Sequence, residues 1–426
     1  MLKTHPYAVL ARQRSFAAFW LAQAVSLCGD RLHQVALAVL VYNTTGSAFA
    51  VSAILAAAIA PNVVLGPLAG VLVDRASRKS ILVGADLVRV GLVLAVPLAL
   101  RVNPAAAFVL VFAVGCATAL FLPAKTAAVA DLVEPAQFDA ANGATWIADA
   151  LADLVGYPLA GLIVVALGPA IALAFVLDSA SYLFSAALLV RLPFAPALAR
   201  TGASGLRQVW AELLEGMGFL ARDRALRENT ALSAMALLFS GAISALLVVY
   251  AHDLSGWLLS YPANYPALQT ALGVGALAGG VLAGAAGGPA GRRILVGFAG
   301  MGAAGVVLGA APNILVAALA IGVAGVFNLV WLVPTQSLFL SRTPRALLGR
   351  VLAIRRTITV GTTTGAMFAA GLAAQAFPAA TIIATTGALC LCAAAVGLLR
   401  PALRSPESVP VSELVCRSGP ELAPQD

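Results

Sequence analysis

Apolar runs long enough to cross a bilayer follow one another from Phe16 to Leu399. A membrane-spanning helix needs about 20 mostly apolar residues, and twelve segments reach that length. The first six are 16–42, 47–73, 80–100, 105–125, 141–166 and 170–192; the second six are 226–251, 266–287, 294–311, 314–340, 351–375 and 379–399. Of the 426 residues 61% are hydrophobic and 10% charged, against about 45–50% and 25% in a soluble domain. The chain is therefore expected to be an all-α polytopic membrane protein of twelve transmembrane helices in two six-helix pseudo-repeat bundles. The run behind Lys3, Arg12 and Arg14 is too long for a signal peptide and lacks a cleavage site before the next span, so it reads as a retained first helix.

The longest polar connection divides the chain into an N-terminal bundle (1–192), a cytoplasmic central loop (193–225), a C-terminal bundle (226–400) and a cytoplasmic, disordered tail (401–426). In the central loop Leu206, Val209, Leu213, Met217 and Leu220 recur at helical spacing among Arg207, Glu212 and Glu215, the pattern of a helix lying on a membrane surface. A net charge of +8 would suggest nucleic acid in a soluble chain, but here basic residues are read by side of the membrane. With the N-terminus inside, all but three of the 26 Lys and Arg fall on the cytoplasmic side, Lys125 among them. Arg101 falls outside, and Arg31 and Arg89 lie within spans. Both termini are thus expected in the cytoplasm and the chain in the inner (plasma) membrane, as a monomer with the lipid bilayer and a small molecule as partners and no nucleic acid.

The halves repeat. Residues 66–79 align with 280–293 without a gap, at an offset of 280 − 66 = 214, with Gly66, Ala69, Gly70, Ala76 and Arg78 recurring. Pro123 pairs with Pro334 and Pro135 with Pro344. Parallel six-helix repeats are typical of transporters that bind substrate between two rocking halves.

Gly70, then Asp74-Arg75, then Arg78-Lys79, between the second and third segments, resembles the signature loop of the major facilitator superfamily, with Ser77 where that pattern has Gly. Further stretches resemble the branch containing macrolide-efflux proteins and the enterobactin exporter: Ser26 to Arg31, Phe121 to Lys125, Ala140 to Gly143 and Thr343 to Val351. The resemblance implies the major facilitator fold. It also implies that Asp74 meets helix eleven of the other half, latching the cytoplasmic side shut; the alternative is that these charges merely mark the inner face. Gly156-Tyr157-Pro158-Leu159-Ala160-Gly161 resembles the Gly-Pro-rich helix-five motif of the superfamily's antiporters, with Tyr157 at the usual Pro position and Pro158 following. Gly156, Pro158 and Gly161 read as a packing motif. The arginine of the family's fourth helix has no counterpart, since Ala105 to Leu122 holds no basic residue.

Carboxylates inside the membrane cost about 2.5–3.5 kcal/mol each on insertion scales and are functional candidates. Asp30, Asp86, Asp149, Asp153 and Asp178 fall within spans, against Arg31 and Arg89 as buried cations. Asp86 and Arg89, at i and i+3, read as a structural ion pair. Asp30 cannot share a face with Arg31 and has His33 one turn on as a possible proton partner. Asp149 and Asp153, at i and i+4, are expected to repel. Together with Asp178, these residues form the expected proton-coupling or substrate cavity, with Asn328, Trp331 and Gln336 as further wall candidates. The five cysteines show neither metal nor disulfide spacing. No His/Glu metal motif and no phosphate-binding loop occurs, which disfavours a membrane enzyme or an ATP-driven pump. The expected function is proton-coupled export of a bulky lipophilic molecule such as a drug, macrolide or siderophore. It needs no cofactor beyond the proton gradient. An importer or uniporter on the same fold is the alternative, and a non-transport membrane protein the distant one.

Overall fold

The computed structural model describes residues 6–66, 69, 73, 76–194, 206–254, 259–344 and 347–400, and these are helical with short connections. Gly70, Asp74 and Arg75 of the latch, and the tail expected to be disordered, lie outside the described residues.

In the N-terminal half the helices are α1 (Pro6–Arg12), α2 (Arg14–Thr45), α3 (Ala48–Ile59), α4 (Pro61–Val64), α5 (Arg78–Val102), α6 (Pro104–Leu132), α7 (Phe138–Leu151), α8 (Tyr157–Leu167) and α9 (Leu173–Leu189). A π turn, Ala152–Gly156, joins α7 to α8. Helix α10 (Leu206–Arg222) lies between the halves. The C-terminal half holds α11 (Arg224–Asp253), α12 (Asn264–Ala285), α13 (Ala290–Gly309), α14 (Ile314–Arg342), α15 (Leu348–Ala373) and α16 (Ala379–Leu398). The expected segments fall on helices with shifted ends: the fourth runs on to Leu132 rather than stopping at Lys125, and the sixth is shorter, Leu173–Leu189. Among the described residues, nine helical stretches are long and apolar enough to cross a membrane, while Ala48–Val64 and Leu173–Leu189 are shorter apolar helices.

Polar caps set these boundaries. Gly46, at φ 61°, ends α2 and donates its N–H to Tyr42, a conformation that side chains rarely adopt. Ser47 then caps α3 by accepting from the Ala50 N–H at 3.2 Å, so the chain reverses within two residues. Asn103, Asp223 and Asn313 cap α6, α11 and α14 in the same way, each satisfying N–H groups that a helix start leaves open.

Large apolar side chains face outward at intervals, Leu162, Val281 and Leu319 being about 70% exposed (69%, 74% and 72%). On a soluble chain such surface would be a liability; here it is where lipid sits. Inside, α9 packs on α2 and α5, and α14 on α12 and α13. The halves meet where α3 lies against α15 and α11, and where α8 and the π turn lie against α12. At the end carrying the C-termini of α2 and α11, the rings of Tyr42, His252 and Tyr261 stand edge to face, Tyr42 and His252 at 5.0 Å and His252 and Tyr261 at 5.1 Å. There the Tyr261 hydroxyl donates to Asn43 at 2.9 Å. Burial pushes this phenol above its ordinary range, so it remains a donor throughout the neutral range.

Candidate functional site: an acidic cluster and a basic cavity

Helix α2 passes its polar residues to three neighbours. Asp30 accepts a hydrogen bond from the Tyr182 hydroxyl of α9. The Tyr182 ring packs on one face of the Arg89 guanidinium at 4.4 Å, and Phe121 of α6 packs at 4.3 Å. Arg89 in turn pairs with Asp86 one turn back on α5, both essentially buried. His33 stands beside Asp178, not Asp30: its Nδ1 is 3.2 Å from Asp178 Oδ2, without the alignment of a formed hydrogen bond. The expectation of an Asp30–His33 proton pair is thereby corrected: both residues face α9, where Asp30 meets Tyr182 and His33 meets Asp178, one turn apart. Gly29 permits the approach of α9 to α2, since a Cβ there would fall 2.6 Å from Asp178 Oδ1 and collide with Ser181. Among the described residues, no Lys or Arg lies within ion-pair distance of Asp30 or Asp178.

Asp149 and Asp153 do not act as a repelling pair. Asp153 Oδ1 accepts from Arg31 Nε at 2.6 Å, and Asp149 Oδ1 lies 3.8 Å from Lys125 Nζ. Cations on two different neighbours, α2 and α6, take up the two charges. Lys125 is therefore a third buried cation, 7% exposed, rather than a cytoplasmic loop residue. It was missed because it closes an apolar run, where a basic residue reads as a boundary mark; that α6 continues for two more turns is what buries it. Arg31 also lies over the Tyr157 ring at 5.4 Å, and the Tyr157 hydroxyl donates to Gln34 at 3.0 Å.

The helix-five motif packs on two sides. A Cβ at Gly156 would stand 3.2 Å from the Arg31 side chain, and one at Gly161 would stand 2.7 Å from Pro266 of α12 in the other half. Pro158 follows the π turn directly within the continuous helical stretch, where the shifted hydrogen-bond register meets the proline's missing N–H. Of the signature loop, Arg78 binds Asp131 and the Ala127 carbonyl at the end of α6, and Lys79 Nζ donates to the Leu192 carbonyl at 3.3 Å.

The C-terminal half holds a cavity of about 220 Å³ between α11, α14 and α15. Thr230, Ser233 and Ser240 line it from α11, Asn328, Trp331 and Phe339 from α14, and Arg355 and Thr359 from α15. Trp331 is buried, stacked on Phe298 at 5.3 Å, and its indole N–H donates to Asn328 at 3.2 Å. Gln336 is engaged by Arg355, whose guanidinium lies over the Phe339 ring at 4.5 Å. Arg355, expected among the cytoplasmic residues, turns its guanidinium into this cavity, toward Gln336 and Phe339 of α14. Among the described residues no three His, Cys, Asp or Glu gather as a metal site.

A bundle of apolar helices with a charged interior and a cavity between helices is the architecture of a membrane transporter rather than of an enzyme. The family model described as "transmembrane secretion effector" (MFS_3) matches residues 4–423, and the chain belongs to that family of multi-pass transporters of small molecules. The chain is 27% identical over 241 residues to the "uncharacterized MFS-type transporter YfiS" of Bacillus subtilis, covering 56% of this chain and 54% of that one. It is also 42% identical over 73 residues to macrolide efflux protein A of Streptococcus pyogenes, 17% of this chain and 18% of the relative. The matches thus span about half or less of these curated relatives. The nucleoside transporter NupG, solved as a point mutant, shares the fold, with a TM-score of 0.74 at 10% identity over 90% of this chain and 99% of that one.

Proposed function

We propose that the protein is a proton-coupled exporter of a bulky, partly apolar small molecule, working by alternating access between two six-helix bundles of a twelve-span fold. In this reading it is a monomer of the inner (plasma) membrane with both termini in the cytoplasm, and it uses no cofactor other than the proton gradient. The observation that carries the proposal is the pair of interior carboxyl groups, Asp30 and Asp178, faced by Tyr182 and His33 instead of by Lys or Arg. An unpaired carboxylate in apolar surroundings is costly, and a proton is the neutralising partner that a transport cycle can add and remove. Arg89, held between Asp86 and the Tyr182 ring, links the two acids electrostatically without pairing with either.

The clustering of Tyr42, His252 and Tyr261 where the halves meet fits a stage sealed on the outer side. Substrate then enters from the cytoplasm, the halves rock, and Asp74 latches the inner side while substrate leaves. The partial match to macrolide efflux protein A supports the outward direction. Quenching of a pH-sensitive dye in energised inside-out vesicles tests the proposal. Candidate compounds should release protons from the vesicles, and Asp178→Asn should remove the release while leaving the protein folded. Transport of a compound without proton movement would mark a uniporter, and movement in the opposite sense would mark an importer.

A further inference from the structure

The interior of the N-terminal half is rich in aspartate, whereas the C-terminal half is poor in acids beyond α11. From Leu254 to Arg400 the sequence has no acidic residue. The cavity among α11, α14 and α15 is lined by one ionisable side chain, Arg355, among the described residues. A charge placed two turns into a membrane helix carries a solvation cost and marks a site that uses it. Here the guanidinium has an aromatic face below it, at Phe339, and one N–H given to the Gln336 carbonyl oxygen. Among the described residues it donates to no carboxylate. A guanidinium has five N–H donors in a fork that fits an anionic oxygen pair, so donors remain for a ligand.

The rest of the wall agrees. The Ser233 hydroxyl is buried at the cavity without a hydrogen-bond partner, although a helical serine can ordinarily satisfy itself on its own backbone. Trp331 and Phe339 line the cavity beside this hydroxyl, Trp331 backed by Phe298 and Phe339 lying under the Arg355 guanidinium. At about 220 Å³ the cavity is smaller than the roughly 300–1,000 Å³ of a whole ligand site, so it suits one end of a molecule rather than all of it.

We propose that this cavity is a substrate subsite that takes the carboxylate end of an amphipathic organic acid, with Arg355 binding the carboxylate and Trp331 and Phe339 flanking the adjoining apolar body. The inference rests on the transport reading and narrows its substrate class. Lipophilic cations, natural candidates for an efflux protein, are disfavoured by a cavity with a fixed positive charge and no acid.

Three probes of one shape separate the possibilities: 1-naphthylacetate, 1-naphthylacetamide and 2-(1-naphthyl)ethylamine, titrated calorimetrically into the purified full-length protein. The acetate is expected to bind at least about tenfold tighter than the amide or the amine. Arg355→Gln should cost it about 10- to 100-fold with little effect on the amide, and Arg355→Lys should recover part of the loss. Equal binding of the three probes, tighter binding of the amine, no binding of the acetate, or undiminished selectivity in Arg355→Gln would overturn the proposal. Should Arg355→Gln fail to fold, the wild-type ranking of the probes decides alone. Binding in detergent needs no gradient, so failure here leaves proton coupling standing. Absent proton flux in vesicles, with acetate selectivity intact, removes only the coupling.

Discussion

The N-terminal half gathers acids and distributes cations among them, whereas the C-terminal half has one cavity-facing cation amid hydroxyls and amides. In the first half the side chains are largely spent on one another: Asp86 on Arg89, Asp153 on Arg31, Asp149 near Lys125. Unpartnered polar atoms occur in both halves, Gln23 and Ser185 in the first and Ser233 in the second; what sets the second apart is a cavity-facing guanidinium, Arg355, with no carboxylate partner among the described residues. Charges that satisfy each other hold a bundle together, carboxyl groups without a cation, Asp30 and Asp178, are the proton sites of the proposed cycle, and the remaining Arg355 donors are open to a ligand. On the proposed reading coupling and recognition fall to different halves, which meet through the contacts of α3 with α15 and of α8 with α12.

Substitutions can break this division. Arg89→Ala leaves Asp86 as a buried charge without its partner and should cost about 3–5 kcal/mol, read as thermal unfolding in detergent. Replacing the pair together, as Asp86→Leu with Arg89→Met, should recover most of that loss. Asp178→Asn should lower substrate-driven proton release by more than tenfold while leaving naphthylacetate binding within about twofold. Proton release that survives would remove Asp178 from coupling. Gly29→Ala should cost about 1–3 kcal/mol by overpacking α2 against α9; an unchanged unfolding midpoint would mean that the approach is not tight. Tyr261→Phe should have the smallest effect, about 0.5–1.5 kcal/mol for one hydrogen bond. It should show as a small drop in the unfolding midpoint in detergent, with the cavity's probe selectivity unchanged.

Much of this arrangement was legible in the sequence because lipid leaves few options. An apolar run of sufficient length must be a helix, and an aspartate inside one must be explained. Asp30, Asp86, Asp149, Asp153 and Asp178 were therefore visible as candidates, and the i to i+3 spacing gave the Asp86–Arg89 pair. Partners across helices were not visible. His33 meets Asp178 and Tyr182 meets Asp30 only because Gly29 lets α2 and α9 close together, and no local spacing encodes that. Lys125 and Arg355 were misplaced for a different reason: both stand near the end of an apolar run, where a cation counts as a topology signal whether or not its side chain turns inward. For Arg355, the nearby aromatic and amide residues of α14 were the available hint.

Asp149 and Asp153, one helical turn apart on the same rod, are tied to separate neighbours, α6 through Lys125 and α2 through Arg31, and the π turn begins between them. A rod fastened at two adjacent points to two bodies acts as a differential. If α6 and α2 move together, both ties hold; if they move apart, one must yield, and the widened π turn of Ala152–Gly156, where the hydrogen-bond register departs from that of the α-helix, is where the strain can be taken up. The weaker tie, at 3.8 Å between Lys125 and Asp149, is then the first to part. The bundle would flex at that point while Arg31 keeps the remainder of the fifth span in place.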